Sequence, residues 1–277
     1  MMDQSLGPSS DQRQSAALSA SRTGVFRRCK AHDLQTCFNQ GTSNSLLHEY
    51  PDMTATFLLA DCKAIAFDLD GTLLDTMHDI RESVSVALRD CGYGELPTDY
   101  RMPNLHGAFP AVLVAVMQDR EVPMTALDAV IKAFQQHYAH LAHRNSQPYP
   151  GMLDFLDDCR SRGVKMAICT NKLYASAMNA LEQKGLAPYF SIVLGSDSVS
   201  RPKPDAEPLL KAFEAMGVAP VQGAYVGDTH VDALSAHNAG VPFVWFRAGY
   251  GGTSVQDYPQ ALAFDDYAEL QGLTEQA

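Results

Sequence analysis

From Lys63 onward, short apolar runs alternate with amphipathic stripes, and this alternation constrains the fold more tightly than any other feature of the chain. Ala64-Ile65-Ala66-Phe67, Val164 to Cys169, Ile192-Val193-Leu194, Ala224-Tyr225-Val226 and Pro242 to Phe246 have the length and apolar character of buried strands. Between them lie helical stripes: Leu153, Leu156 and Cys159; Leu173, Ala177 and Leu181; Leu209, Leu210, Phe213 and Met216, the last closed by Gly217. Strand, helix, strand in succession requires parallel pairing through right-handed crossovers. The expected fold is α/β, a three-layer sandwich around a parallel, Rossmann-like sheet.

One stretch breaks the rhythm. Residues 76–149 hold three helical patterns and no strand: Ile80/Val84/Ala87/Cys91, Phe109/Val112/Leu113/Val116, and Leu127/Val130/Ile131/Phe134/Tyr138/Leu141. A helical insertion straight after the first strand sits over the carboxyl ends of the sheet, where open α/β folds bind ligands. It reads as an all-helical cap at 76–149, inserted into a core formed by 61–75 and 150–277. Residues 1–60 are rich in Ser, Gln, Asn and Thr without a sustained period and read as a disordered extension. Five basic residues (Arg13, Arg22, Arg27, Arg28, Lys30) faintly suggest a transit peptide. Asp3, Asp11 and the missing apolar segment count against any targeting signal.

Composition narrows the function classes. The 277 residues carry 21 Lys+Arg against 32 Asp+Glu, a formal charge of −11, which disfavours nucleic acid and anionic membrane as partners. The longest strictly apolar run, Ala111 to Met117, is far short of the ~20 residues that span a bilayer. Six cysteines without a C-x-x-C pair point to neither a zinc cluster nor a disulfide scaffold, and fit a reducing cytoplasmic compartment.

The chemistry lies where strands end. Asp68-Leu69-Asp70-Gly71-Thr72 follows the first strand, and Asp-x-Asp in extended backbone throws both carboxylates to one face. Cys169-Thr170-Asn171 places a hydroxyl and free N–H groups at a helix start, an arrangement suited to anions. Arg201-Pro202-Lys203-Pro204-Asp205 holds a lysine between two prolines, so that its amine reaches inward. Gly227-Asp228-Thr229-His230-Val231-Asp232 supplies two further acids, which also suit N-capping.

In this order the four segments resemble the haloacid-dehalogenase superfamily over residues 63–247. Tyr149-Pro150-Gly151, Thr170-Asn171-Lys172, Arg201-Pro202-Lys203-Pro204 and Gly227-Asp228-Thr229 resemble its phosphoglycolate-phosphatase-like subgroup with a helical cap. The resemblance implies a phosphomonoester hydrolase dependent on Mg²⁺. Asp68 would be the nucleophile that forms an aspartyl-phosphate, and Asp70 the acid, then base, favoured in its protonated form by cap closure. Thr170, Asn171 and Lys203 would bind phosphate. Asp68, Asp70 (through its backbone carbonyl) and Asp228 would hold the metal, with Asp232 orienting Lys203 or metal-bound water from behind. The partner would be a small soluble phosphate ester, phosphoglycolate first. Its carboxylate would meet the loop Asn104-Leu105-His106-Gly107, with Arg101 or Arg144 nearby, and the chain would act as a monomer or homodimer.

Competing classes are a phosphomutase on the same core and a receiver domain that stores an aspartyl-phosphate. The second is about half this length and gains nothing from an acid two residues past its phosphoacceptor. Cys169 reads as a small buried hydrophobe, His230 as no ligand of an oxygen-rich site, and His137, His140 and His143 as a solvated helix face.

Overall fold

The computed structural model describes residues 59–103, 109–141 and 143–274. Residues 1–58 of the expected extension and the loop Asn104-Leu105-His106-Gly107 lie outside them, whereas residues 59–60 correct that expectation: they open a short turn, Leu59–Asp61, and Leu59 is buried in the core. The strand β1 (Ala64–Phe67) is followed by a two-residue strand β2 (Leu74–Asp75), helices α1 (Met77–Asp90), α2 (Phe109–Asp119) and α3 (Leu127–Leu141), and a second short strand β3 (Gln147–Pro148). Then come α4 (Met152–Ser161), β4 (Lys165–Cys169), α5 (Tyr174–Gln183), β5 (Ile192–Leu194), α6 (Glu207–Met216), β6 (Gly223–Gly227), α7 (His230–Ala239), β7 (Phe243–Phe246), β8 (Leu262–Phe264) and α8 (Ala268–Thr274).

Six strands form one parallel sheet in the order β5-β4-β1-β6-β7-β8. Its central strand, Ala-Ile-Ala-Phe, is buried at every position, because a parallel sheet is covered on both faces and needs no polar side. Period 2 divides its side chains. Ile65 and Phe67 join Met152, Phe155 and Leu156 of α4, while Ala64 and Ala66 join Leu209, Ala212 and Phe213 of α6. The alanines on the second face let α6 approach closely. At Gly223 a Cβ would fall 2.3 Å from the Phe213 ring and 2.4 Å from the Ala64 carbonyl oxygen, so β6 begins with glycine.

The helices bury faces that differ in detail from the expected stripes. Leu153, Leu173 and Leu210 are exposed, and Met152, Phe155 and Leu156 carry the buried face of α4. For Leu153 and Leu210 the preceding residue, Met152 or Leu209, takes the core position, whereas Leu173 stands just before its helix and Ala177 is the first residue to be buried. Helices α1, α2 and α3 pack into a separate cluster built on Val84, Leu88, Leu113, Val116, Val130 and Phe134. This insertion leaves the core through β2 and returns through β3, which pair antiparallel as Leu74 with Pro148 and Asp75 with Gln147. Among the described residues, no helix is long and apolar enough to cross a membrane.

Because β1 lies between β4 and β6, the chain crosses from one side of β1 to the other, and a crevice opens at the carboxyl ends of these three strands. The four segments that carry the chemistry follow one of these ends or the adjacent loop after β5.

Candidate active site

Backbone hydrogen bonds carry the sheet one residue past its strands. Asp68 N–H donates to the Val226 carbonyl at 2.9 Å and Thr170 N–H to the Leu194 carbonyl at 3.0 Å. Asp68, Thr170 and Asp228 are thereby fixed at three neighbouring strand tips. The Asp-x-Asp step then separates the two carboxylates by partner. Asp68 Oδ1 stands 2.9 Å from Lys203 Nζ, and Asp70 faces Lys172, whose Nζ lies 2.8 and 3.0 Å from its two oxygens. Gly71 makes the turn that follows, at φ +84°, and donates its N–H to the Leu74 carbonyl at 2.8 Å. A Cβ there would meet Asp228 Oδ2 at 2.5 Å.

Lys203 is the hub. Its ammonium, 3% exposed, also donates to Asp232 Oδ1 at 2.6 Å and to the Tyr225 hydroxyl at 2.8 Å. Burial would lower its pKa, but Asp232 and Asp68 outweigh that effect and hold it charged well above the ordinary lysine range. Asp232 is nearly saturated. Oδ1 accepts from Lys203 and Tyr225, while Oδ2 accepts from Thr229 N at 3.0 Å and Thr229 Oγ1 at 2.6 Å, half of a capping box that starts α7. Three of these donors are its own, and the one Tyr225 hydroxyl proton is shared with the Cys169 carbonyl at 2.9 Å, so most of its four lone-pair positions are used. N-capping and orientation of Lys203 are therefore joined in one side chain. Asn171 Nδ2 donates to the Lys203 carbonyl at 3.1 Å, which ties the second motif to the third.

The carboxylate oxygens of Asp68, Asp228 and Asp232 come within 4.8 Å of one another. Burial raises Asp68 to about 6 against the pull of Lys203. Asp228, fully buried, is raised well above the ordinary range by burial and then by its neighbours Asp232 and Asp68. Each Asp228 oxygen accepts one hydrogen bond, from Thr72 Oγ1 at 2.8 Å and from Tyr250 N at 2.7 Å, so each keeps one lone pair. Gly249 closes over it, since a Cβ there would lie 2.3 Å from Asp228 Cβ and from the Gly71 carbonyl oxygen. Three buried acids around one lysine, with oxygen donors only, fit a hard divalent cation. Asp68 and Asp228 have the capacity to bind it, whereas Asp232, engaged by Lys203 and Thr229, has little to spare.

The expected preference of Asp70 for its protonated form is corrected by the structure. Burial would raise its pKa, but the Lys172 ammonium and its hydrogen bonds prevail and hold it below the ordinary range. Two functional side chains escaped sequence reasoning. Lys172 is one; it follows Thr170-Asn171 directly, and a cation beside a strand-end anion motif was the signal. Tyr250 is the other. Its hydroxyl accepts from Thr76 N at 2.7 Å and Met77 N at 3.0 Å, and donates to Asp75 at 2.8 Å, so it links the first turn of α1 to Asp228.

His143 was also misread. It lies beyond the end of α3 at φ +56°, is 2% exposed, and packs edge-on against Tyr138 with ring centroids 4.9 Å apart. Only its spacing from His137 and His140 suggested a shared face, and the helix ends before that face is complete. Cys169 is fully buried and its thiol is pushed up to about 12 by burial, as befits a hydrophobe.

A cavity of about 630 Å³ lies over these groups. Its floor holds Asp68, Asp70, Thr170, Asn171, Lys172 and Lys203; Ile80, Val112, Ile131, Phe134 and Tyr138 of the insertion form an apolar roof. Arg101 and Arg144 are exposed and take no part in its wall.

The family model described as haloacid dehalogenase-like hydrolase matches residues 65–246. The chain is 34% identical over 216 residues to a phosphoglycolate phosphatase of Rhodobacter capsulatus, covering 76% of this chain and 96% of the relative. It is 35% identical over 206 residues to a plasmid-borne phosphoglycolate phosphatase of Cupriavidus necator, covering 74% and 87%. The crystal structure of a predicted phosphoglycolate phosphatase from Haemophilus somnus 129pt superposes with a TM-score of 0.71 at 26% identity, covering 78% of this chain and 99% of that one. The carboxylate and lysine cluster at the strand tips and the length of these matches agree: the chain belongs to the haloacid dehalogenase-like hydrolases, as a phosphatase of the phosphoglycolate-phosphatase-like group.

Proposed function

We propose that the protein is a cytoplasmic, Mg²⁺-dependent hydrolase of small phosphate monoesters, with phosphoglycolate as the leading substrate, working through an aspartyl-phosphate on Asp68. The observation that carries this reading is the buried ion-pair chain Asp68–Lys203–Asp232, set beside Asp228 at the floor of a partly open cavity. The named substrate of the relatives supports the choice of ester. Bound between Asp68, the Asp70 carbonyl and Asp228, Mg²⁺ would offset the charge of the acids and of the incoming phosphate.

Asp68 attacks phosphorus in line with the ester oxygen. The P–O bond to the leaving group breaks, and Asp70 delivers a proton to the departing alkoxide. Lys203, the Thr170 hydroxyl and the Asn171 N–H hold the remaining phosphoryl oxygens where negative charge spreads. Asp232 and Tyr225 keep the Lys203 ammonium at that position. In the second half-reaction Asp70 takes a proton from water, whose oxygen displaces the Asp68 carboxylate. The insertion acts as the cap that keeps bulk water out, its roof supplied by Phe134, Ile131 and Val112.

Phosphate release by the purified full chain from a panel of monoesters, with Mg²⁺ and with EDTA, tests the reading. Release should require Mg²⁺, vanish in Asp68→Asn, and fall by roughly 10² to 10⁴ in Asp70→Asn, the usual worth of general acid–base assistance. A kcat/KM for phosphoglycolate no better than for generic esters would remove that substrate, and metal-independent release would remove the mechanism.

A further inference from the structure

The Lys172 ammonium is enclosed on every donor. It contacts both oxygens of Asp70, at 2.8 and 3.0 Å, and donates to the Tyr138 hydroxyl at 2.6 Å, with the Tyr138 ring centroid 4.6 Å away. An ammonium has three donors and no acceptor, so all three are used. The Lys172 side chain is 7% exposed, which removes this pair from the class of screened surface ion pairs.

The contact joins two parts of the molecule that the chain separates widely. Asp70 and Lys172 belong to the loops after β1 and β4, whereas Tyr138 stands in the last turn of α3. Tyr138 is itself braced, stacked on Phe134 with centroids 5.1 Å apart and met edge-on by His143. A carboxylate on a loop keeps two free torsions unless its partners fix them. Here the partner is a lysine whose far side is anchored to the helical insertion.

We infer that Lys172 is a positioning residue for Asp70 in the hydrolytic half-reaction, and that Tyr138 makes this positioning depend on the insertion lying against the core. The inference rests on the proposed phosphatase mechanism. In that step one O–H bond of water breaks and its proton passes to an Asp70 oxygen. The water oxygen bonds to phosphorus, and the P–O bond to Asp68 breaks with its electron pair returning to the Asp68 carboxylate. The ammonium only donates, so it holds Asp70 with its oxygens as acceptors, the role that step needs. Positioning matters most there, because the group attacked is already covalently fixed and only the base and water remain to be aligned.

The test is pre-steady-state release of nitrophenolate from p-nitrophenyl phosphate, whose leaving group needs little protonation, in wild type, Lys172→Met and Tyr138→Phe. Wild type should turn over without a burst. Lys172→Met should release about one equivalent of nitrophenolate rapidly and then turn over roughly 10²-fold more slowly, the cost of misplacing a group by about 1 Å. Acid quench should then trap phosphate on Asp68. Tyr138→Phe, which keeps the ring and loses only the acceptor, should show a smaller burst and about tenfold slower turnover, as for one hydrogen bond to a charged group. Variants that are slow without a burst, or slow only toward carboxylate-bearing esters, would overturn the inference and leave the phosphatase reading standing. A wild type that releases no phosphate from any ester would overturn both.

Discussion

Acidification should weaken this fold through one histidine. His143 is 2% exposed, its Nδ1 is 3.5 Å from the Tyr138 and Ser146 hydroxyls, and burial, followed by the charge of Lys172, pushes its pKa down to about 4. The unfolded chain restores the ordinary value of about 6.5. As pH falls below 6.5 the unfolded state takes up a proton that the folded state refuses, so stability present above that pH is lost progressively down to about 4. The 2.5-unit gap corresponds to about 3 kcal/mol in full, of which about 2 kcal/mol is lost by pH 5. For a folded unit of this size, roughly 2–4 °C of Tm accompanies each kcal/mol, so the share of His143 at pH 5 is about 4–8 °C. Other groups titrate over the same range, and the variant His143→Asn isolates the effect, since asparagine tolerates the positive φ and cannot take up the proton. Calorimetric melts in EDTA at pH 7 and pH 5 should show wild type losing about 4–8 °C more than His143→Asn. Equal losses in the two proteins would refute the assignment of a buried, neutral imidazole.

Lys203→Met strands Asp68 and Asp232 without their cation, and breaking a buried pair from one side costs about 3–5 kcal/mol. Turnover should vanish and Tm should fall by roughly 6–20 °C in thermal melts; a fall under 2 °C would show that the pair is not buried in solution. Mg²⁺ at a hundredfold excess over its Kd should stabilise wild type by about 2.7 kcal/mol and leave Asp228→Asn nearly unmoved in a thermal-shift titration, since Asp228 supplies lone pairs that no neighbour occupies. An equal shift in both would place the cation elsewhere.

Particular residues show how far a linear reading reaches. The strands β1, β4, β5, β6 and β7 were legible as short apolar runs, and every helix of the insertion because it carries a sustained period in its own residues. The strand β8 (Leu262–Phe264) was not among them, and it forms by pairing with β7. Likewise β2 and β3 are two residues each and exist only through one another. Leu153 and Leu210 are apolar and helical yet exposed, because the face a helix buries is chosen by the sheet beneath it.

Sequence alone determined the alternation, hence the parallel sheet, and the placement of acids, threonine and lysine just past strand ends, because both are properties of short segments and their order. Tertiary structure decided which charges meet. That Asp68 pairs with Lys203 while Asp70, two residues on, pairs with Lys172 depends on β4 and the loop after β5 flanking one side of β1. That Asp232 is more fully engaged than Asp228 depends on Tyr225 of β6 and on Thr229, Thr72 and Tyr250 converging from three loops. The contacts of Tyr250 and Thr72 with Asp228 span 22 and 156 residues of the chain, and no local pattern encodes a distance of that kind.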